Sequence, residues 1–136
     1  MAAIRIPESA KALLPYCEPY RAKNDDCFFP SYAHLITFAA SIGYQKDQCD
    51  EEVSFISKEP YPITLDIFKN LGLYDYILVL GLSKTKSYEI IQDEESLSKI
   101  IEGFASAGFR EMLRVYERCA GHNYIDEWVQ KIIREE

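Results

Sequence analysis

Phe28 to Tyr44 reads FFPSYAHLITFAASIGY, and the fold follows from how this stretch must be housed. Ser31, behind Pro30, suits an N-cap, because its hydroxyl accepts from an N–H that the first helical turn leaves unpaired. Gly43 is expected at the left-handed C′ position, with Tyr44 as the apolar residue that folds back on the last turn. Between these caps Leu35, Ile36, Phe38, Ala39, Ala40 and Ile42 point in nearly all directions, while His34, Thr37 and Ser41 share one narrow polar stripe. None of the residues between the caps is permanently charged. A helix of this kind is covered by protein on almost every side, and it is too short for a bilayer, which takes about 20 apolar residues.

Working outward, a second large element is expected from Glu94 to Ala120. Asp93 is its N-cap, Glu94 and Glu95 fill the first turn, and Gly121 sits just past the end. Leu97, Ile100, Ile101, Phe104, Met112 and Val115 form its inward stripe, and it would span about 40 Å. Glu95 with Lys99, Lys99 with Glu102, and Glu111 with Arg114 are expected to pair along its outer face. The patch GFASAG, from Gly103 to Gly108, is the exception, since each interior glycine costs about 1 kcal/mol relative to alanine. It is read as close packing or a bend, with a partner-binding groove through Gly103 and Ser106 as the alternative.

Between the two large helices, residues 45–62 are expected to form a long irregular loop, mobile in the first reading and functional in the alternative, with room for a short edge strand through Val53 and Phe55. Leu65, Phe68 and Leu71 mark a brief helix ended by Gly72, and Leu73 to Ser83 continues as another helix. Tyr88 to Gln92 is expected to be extended. Ahead of the central helix, Ile4 and Ile6 alternate in a short extended piece, and Glu8 to Leu14 forms a short helix cut off by Pro15. A last helix is expected from Ile125 to Arg134. The fold class is therefore mainly α: one compact helical domain over 1–136, with a buried central helix, one long amphipathic helix and at most a few short strands.

The chain has 136 residues, 48% hydrophobic and 27% charged, so folding buries roughly two-thirds of its surface without a metal or disulfide staple. Its formal net charge of −7 counts against a protein that holds nucleic acid unaided. Cys17, Cys27, Cys49 and Cys119 lie far apart with no C-x-x-C pair, so reduced thiols are expected. No signal peptide, membrane span or lipidation signature is present, which points to the cytoplasm.

No catalytic constellation emerges. The acidic-x-Lys tripeptide of restriction-type nucleases is missing, and so are the glycine-rich phosphate loops and the nucleophile elbow. Asp25 with Asp26, Asp50 to Glu52, and Asp93 to Glu95 fall in turns or at a helix start, where solvation and the helix dipole account for them. His34 reads as a satisfied core histidine, and Cys119 and His122 are separated by the helix-breaking Gly121. Neither a catalytic residue, a metal nor a cofactor is expected.

Three stretches together carry a resemblance: FFPSYAHLITFAASIGYQK, PITLDIFKNLGLYDYILVLGLS and SYEIIQDEESLSKIIEGFASAGFREML. Over about residues 27 to 116 the chain resembles the Dnd system-associated protein 4 family, found with bacterial DNA phosphorothioation genes. The resemblance implies a place beside the machinery that puts sulfur into the DNA backbone, or beside the restriction proteins that spare DNA so marked. It carries no catalytic or binding residues with it. The expected function is an accessory, non-catalytic, protein-binding component whose partners are other proteins of that system. Tyr74 and Tyr76, around Asp75, are its candidate contact residues. The alternative is a small DNA-binding module using Lys58, Lys84, Lys86, Arg110 and Arg114, if these converge on one face.

Overall fold

In the computed structural model, the described residues are 2–17, 29–57, 59–118 and 133–134. Among them the order is β1 (Ala3–Ile4), a 3-10 helix (Glu8–Tyr16), α1 (Tyr32–Gln45), β2 (Ile63–Thr64), α2 (Leu65–Asn70), α3 (Tyr74–Thr85), a second 3-10 helix (Tyr88–Gln92) and α4 (Glu94–Arg118). The architecture is mainly α, as expected. The expected turn at Asp25 and Asp26, Cys27, Cys119, His122, Lys58 and most of the last helix lie outside the described residues.

The centre is the packing of α1 on α4. Ala33, Leu35, Ile36, Ala39 and Ala40 of α1 are buried, as are Leu97, Ile101, Phe104, Phe109 and Met112 of α4. The polar stripe of α1 is satisfied within the helix: Thr37 donates to the Ala33 carbonyl at 2.8 Å and Ser41 to the Thr37 carbonyl at 2.9 Å. Ser31 is the N-cap, its hydroxyl accepting the His34 N–H at 3.2 Å.

Gly43 does not end α1. The helix runs to Gln45, and the left-handed residue is Asp47, with φ 56°. The Gln48 N–H bonds the Gly43 carbonyl and the Asp47 N–H bonds the Tyr44 carbonyl, the double closure of a Schellman cap. Asp tolerates that conformation better than most residues. Gly43 is needed instead for contact, because a Cβ there would lie 2.1 Å from the Phe104 carbonyl oxygen. One turn earlier on α1, a Cβ on Gly108 would lie 1.7 Å from the Ala39 carbonyl oxygen. Two glycines, each facing a carbonyl of the other helix, thus let the antiparallel backbones touch.

The segment 46–62 is not a free loop. Asp50 N–H donates to the Gly103 carbonyl at 3.1 Å, Ile56 N–H to the Ile6 carbonyl at 2.9 Å, and Glu8 N–H to the Ser54 carbonyl at 2.8 Å. Phe55 bridges Pro7, while Ala3 and Ile4 pair antiparallel with Thr64 and Ile63. The amino-terminal residues 2–8 therefore bond antiparallel along residues 54–65. Gly72 does end α2 in the left-handed conformation, φ 75°, with Leu73 N–H reaching the Phe68 carbonyl at 2.8 Å.

Two further expectations change. The first 3-10 helix runs through Pro15 to Tyr16, since a proline in its last turn removes only one N–H. Tyr88–Gln92 is a 3-10 helix, not an extended piece, and the Ser87 hydroxyl accepts the Glu89 N–H at 3.2 Å to start it.

Candidate interaction surface

Helix α3 is apolar nearly all round: Leu73, Tyr74, Tyr76, Ile77, Leu78, Val79, Leu80 and Leu82 fall within 10 residues. Ile77, Leu80 and Gly81 face the core, and Gly81 sits so close to α4 that a Cβ would meet Leu97 at 2.5 Å. On the other side Tyr76 is 64% exposed and Val79 58%. The next 3-10 helix adds Tyr88, at 85%, and Ile91. Ile67 and Leu71 of α2 are also exposed. A helix that is hydrophobic on all faces but covered on one leaves apolar area exposed, here including the aromatic side chain of Tyr76.

Tyr74 and Tyr76 therefore part company. Tyr76 points out, while Tyr74 is half-buried, its hydroxyl donating to Glu94 at 3.3 Å beneath the Lys69 ammonium, which stands 4.8 Å from the ring centre. Burial, then the Glu94 charge, pushes the Tyr74 phenol up, so it stays a donor at neutral pH. It holds α3 to the start of α4.

Gly103 and Ser106 do not form an open groove. Both are buried, and a Cβ on Gly103 would meet the Asp50 carbonyl oxygen at 2.6 Å and the Cys49 sulfur at 2.7 Å. The small-residue patch is filled by α1 and by the 49–50 segment of the same chain. Burial pushes the half-buried Cys49 thiol up, and it points at the Ile100 carbonyl, 3.7 Å away.

Of the cations expected to read DNA, the four among the described residues are not gathered into an unpaired patch. Arg110 makes a two-pronged ion pair with Asp50, Nη2 to Oδ1 at 2.8 Å, and Arg114 pairs with Glu111 at 2.9 Å. Lys84 and Lys86 are exposed at the far end of α3, Lys86 in the left-handed conformation. His34 belongs to the α1 cap, its Nδ1 lying 2.7 Å from the Ser31 hydroxyl. Among the described residues no group of three or more His, Cys, Asp or Glu is placed to hold a metal, and no helix is long and apolar enough to cross a membrane.

Sequence reasoning missed a buried carboxylate and its partner. Glu102 is buried rather than paired with Lys99 on the outer face, and it accepts from the Arg5 backbone N–H at 2.7 Å, Nε at 3.1 Å and Nη2 at 2.9 Å. Arg5 also lies 3.9 Å over the Phe55 ring. The one signal in the sequence is the alternation of Ile4 and Ile6, which turns Arg5 away from them.

Two acidic side chains give the fold a defined pH response. The Arg110 guanidinium holds the Asp50 carboxyl below the usual range, and the Ser96 hydroxyl and N–H do the same for Asp93. A folded value below the unfolded one contributes stability above the unfolded value, about 4, and loses it as pH falls through the lowered folded value. Urea midpoints should therefore fall on acidification below about pH 4. In Asp50→Asn that acid loss should be shallower, and the gap to the native chain should narrow as pH drops. An unchanged acid limb in Asp50→Asn would remove Asp50 from this account.

Comparison with known proteins agrees with the sequence resemblance over a longer span. A family model described as DNA sulphur modification system-associated protein 4 matches residues 3–136. Neither the curated proteins nor the solved structures compared gave a match. Since the family model covers all but the first two residues, the chain belongs to the DNA sulphur modification system-associated protein 4 family.

Proposed function

We propose that this protein is an accessory, non-catalytic component of a bacterial DNA phosphorothioation-linked modification or restriction system, acting in the cytoplasm by binding other proteins of that system. The observation that carries the reading is α3, an apolar helix with Tyr76 and Val79 left in the open on an otherwise strongly acidic chain. Membership of a family described as associated with the sulphur modification system supplies the setting. The acidic balance and the engagement of Arg110 and Arg114 by carboxylates favour protein partners over direct phosphate contact.

The test is co-expression of the tagged chain with the system's modification and restriction proteins, each in turn, followed by co-purification. Capture of at least one is expected, and it should weaken at least about tenfold when Tyr76→Ser and Tyr88→Ser are combined, as anchoring aromatics commonly cost about 2 kcal/mol or more. In parallel, phosphorothioate-marked and unmarked duplexes are titrated at low and physiological salt. Selective, salt-sensitive binding of marked DNA without any captured protein would overturn the accessory reading and make the chain a direct reader of the mark.

A further inference from the structure

The exposed side of α3 carries a pattern that reads the same from both ends. Asp75, Val79 and Leu82 recur at i, i+4 and i+7, the spacing of a helix-pairing seam, and Lys86 follows just past the helix end as its left-handed C-cap. Asp75 lies in the first turn of the helix and Lys86 is its C-cap, with the apolar pair between them. Asp75, Val79 and Lys86 are exposed, and Leu82 is half-buried, packed on one side against the core of its own chain and open on the other. Neither Asp75 nor Lys86 belongs to an ion pair among the described residues. Tyr76, one residue along, flanks the seam and adds the largest exposed apolar side chain on α3.

From this arrangement we infer that the occupant of the outer face of α3 is a second copy of this chain, docked with its own α3 antiparallel about a two-fold axis. Such an axis midway between Val79 and Leu82 sets Asp75 of each copy opposite Lys86 of the other, and Val79 opposite Leu82. An interface on a two-fold must be complementary to itself, so every contact is made twice. An acid at one end, a base at the other and apolar residues between is the simplest stripe that meets this demand. Antiparallel pairing also sets each helix N-terminus beside the other's C-terminus, which the dipoles favour. The seam spans about 16 Å, so the contact is small and the dimer is of the weak, exchanging kind.

The inference rests on reading α3 as a contact face and adds what sits on it. Its test is sedimentation equilibrium of the purified chain alone, from micromolar to near-millimolar concentration. A monomer–dimer equilibrium weakened by salt is expected. Asp75→Lys and Lys86→Asp should each weaken it at least about tenfold, since each places like charges opposite one another twice. Both positions are exposed, and circular dichroism checks that the variants fold. An equimolar mixture of the two variants should recover association, because one chain then carries a base at both ends of the seam and the other an acid at both. A chain that stays monomeric, a dimer indifferent to both substitutions, or a mixture no better than either variant alone would each overturn the inference. A monomer that still captures system proteins overturns it while leaving the accessory function standing. A swap-sensitive dimer that captures none supports it while removing that function.

Discussion

Gly108→Ala should destabilise the protein by about 3 kcal/mol, although the same change in an open helix would stabilise it by about 1 kcal/mol. The reversal of sign comes from the added methyl meeting the Ala39 backbone, its Cβ 1.7 Å from the carbonyl oxygen and 2.6 Å from the carbonyl carbon. No rotamer change relieves a clash with backbone, so α1 and α4 must separate, and their separation opens voids along the largest contact among the described elements. Gly43→Ala should behave alike, its Cβ meeting the Phe104 carbonyl at 2.1 Å. Gly81→Ala is the graded control, because there the nearest atom is the end of the Leu97 side chain, which can turn aside. Thermal and urea unfolding check the series. A loss of about 3 kcal/mol corresponds to roughly 10 °C in a domain of this size. A Gly108→Ala protein as stable as the native chain would mean that the two helices do not meet as described.

The same glycines show how far the sequence can be read. Hydrophobic period, Ser31, Asp93 and Gly72 locate the helices, since these signals are local: a cap and a 3.6-residue stripe need no knowledge of what lies opposite. Gly43 misleads because a glycine before an apolar residue satisfies two demands, a left-handed turn and a close approach, and only the partner helix decides between them. Tyr88–Gln92 misleads because its two isoleucines favour a strand, while the Ser87 hydroxyl and the packing of Ile90 favour a tight helical turn. The segment 46–62 reads as mobile because its polar composition hides the partners of its backbone, which come from residues 6–8 and from Gly103. On the candidate surface, α3 is legible as a helix but not as a direction. Apolar residues all round give no preferred face, so only the fold separates Tyr74 from Tyr76.

Breaking the pair between Arg5 and Glu102 should cost about 2–3 kcal/mol when Arg5 is the residue removed, and replacing both partners should cost less than the two single losses together. The Glu102 side chain is 4% exposed, whereas that of Arg5 is 49% exposed, so the two ends of the pair are not equivalent. In Arg5→Met the carboxylate stays buried with only the backbone N–H of residue 5, which the substitution leaves in place. Losing the guanidinium fork strands a charge away from water, and this is the larger penalty. In Glu102→Leu the guanidinium can turn to solvent, but the residue-5 N–H loses its acceptor, which costs about 1–3 kcal/mol. The double variant Arg5→Met, Glu102→Leu removes both charges and keeps apolar volume beside Phe55, so its loss should be smaller than the sum of the single losses by at least about 1 kcal/mol. Arg5→Lys should not rescue the native value, because a single ammonium cannot make the two-pronged contact with Glu102 and stack 3.9 Å from the Phe55 ring at once. Urea unfolding of the four variants gives the coupling directly. Strictly additive losses would show that strand β1 is held to α4 by packing alone and that the ion pair contributes nothing specific.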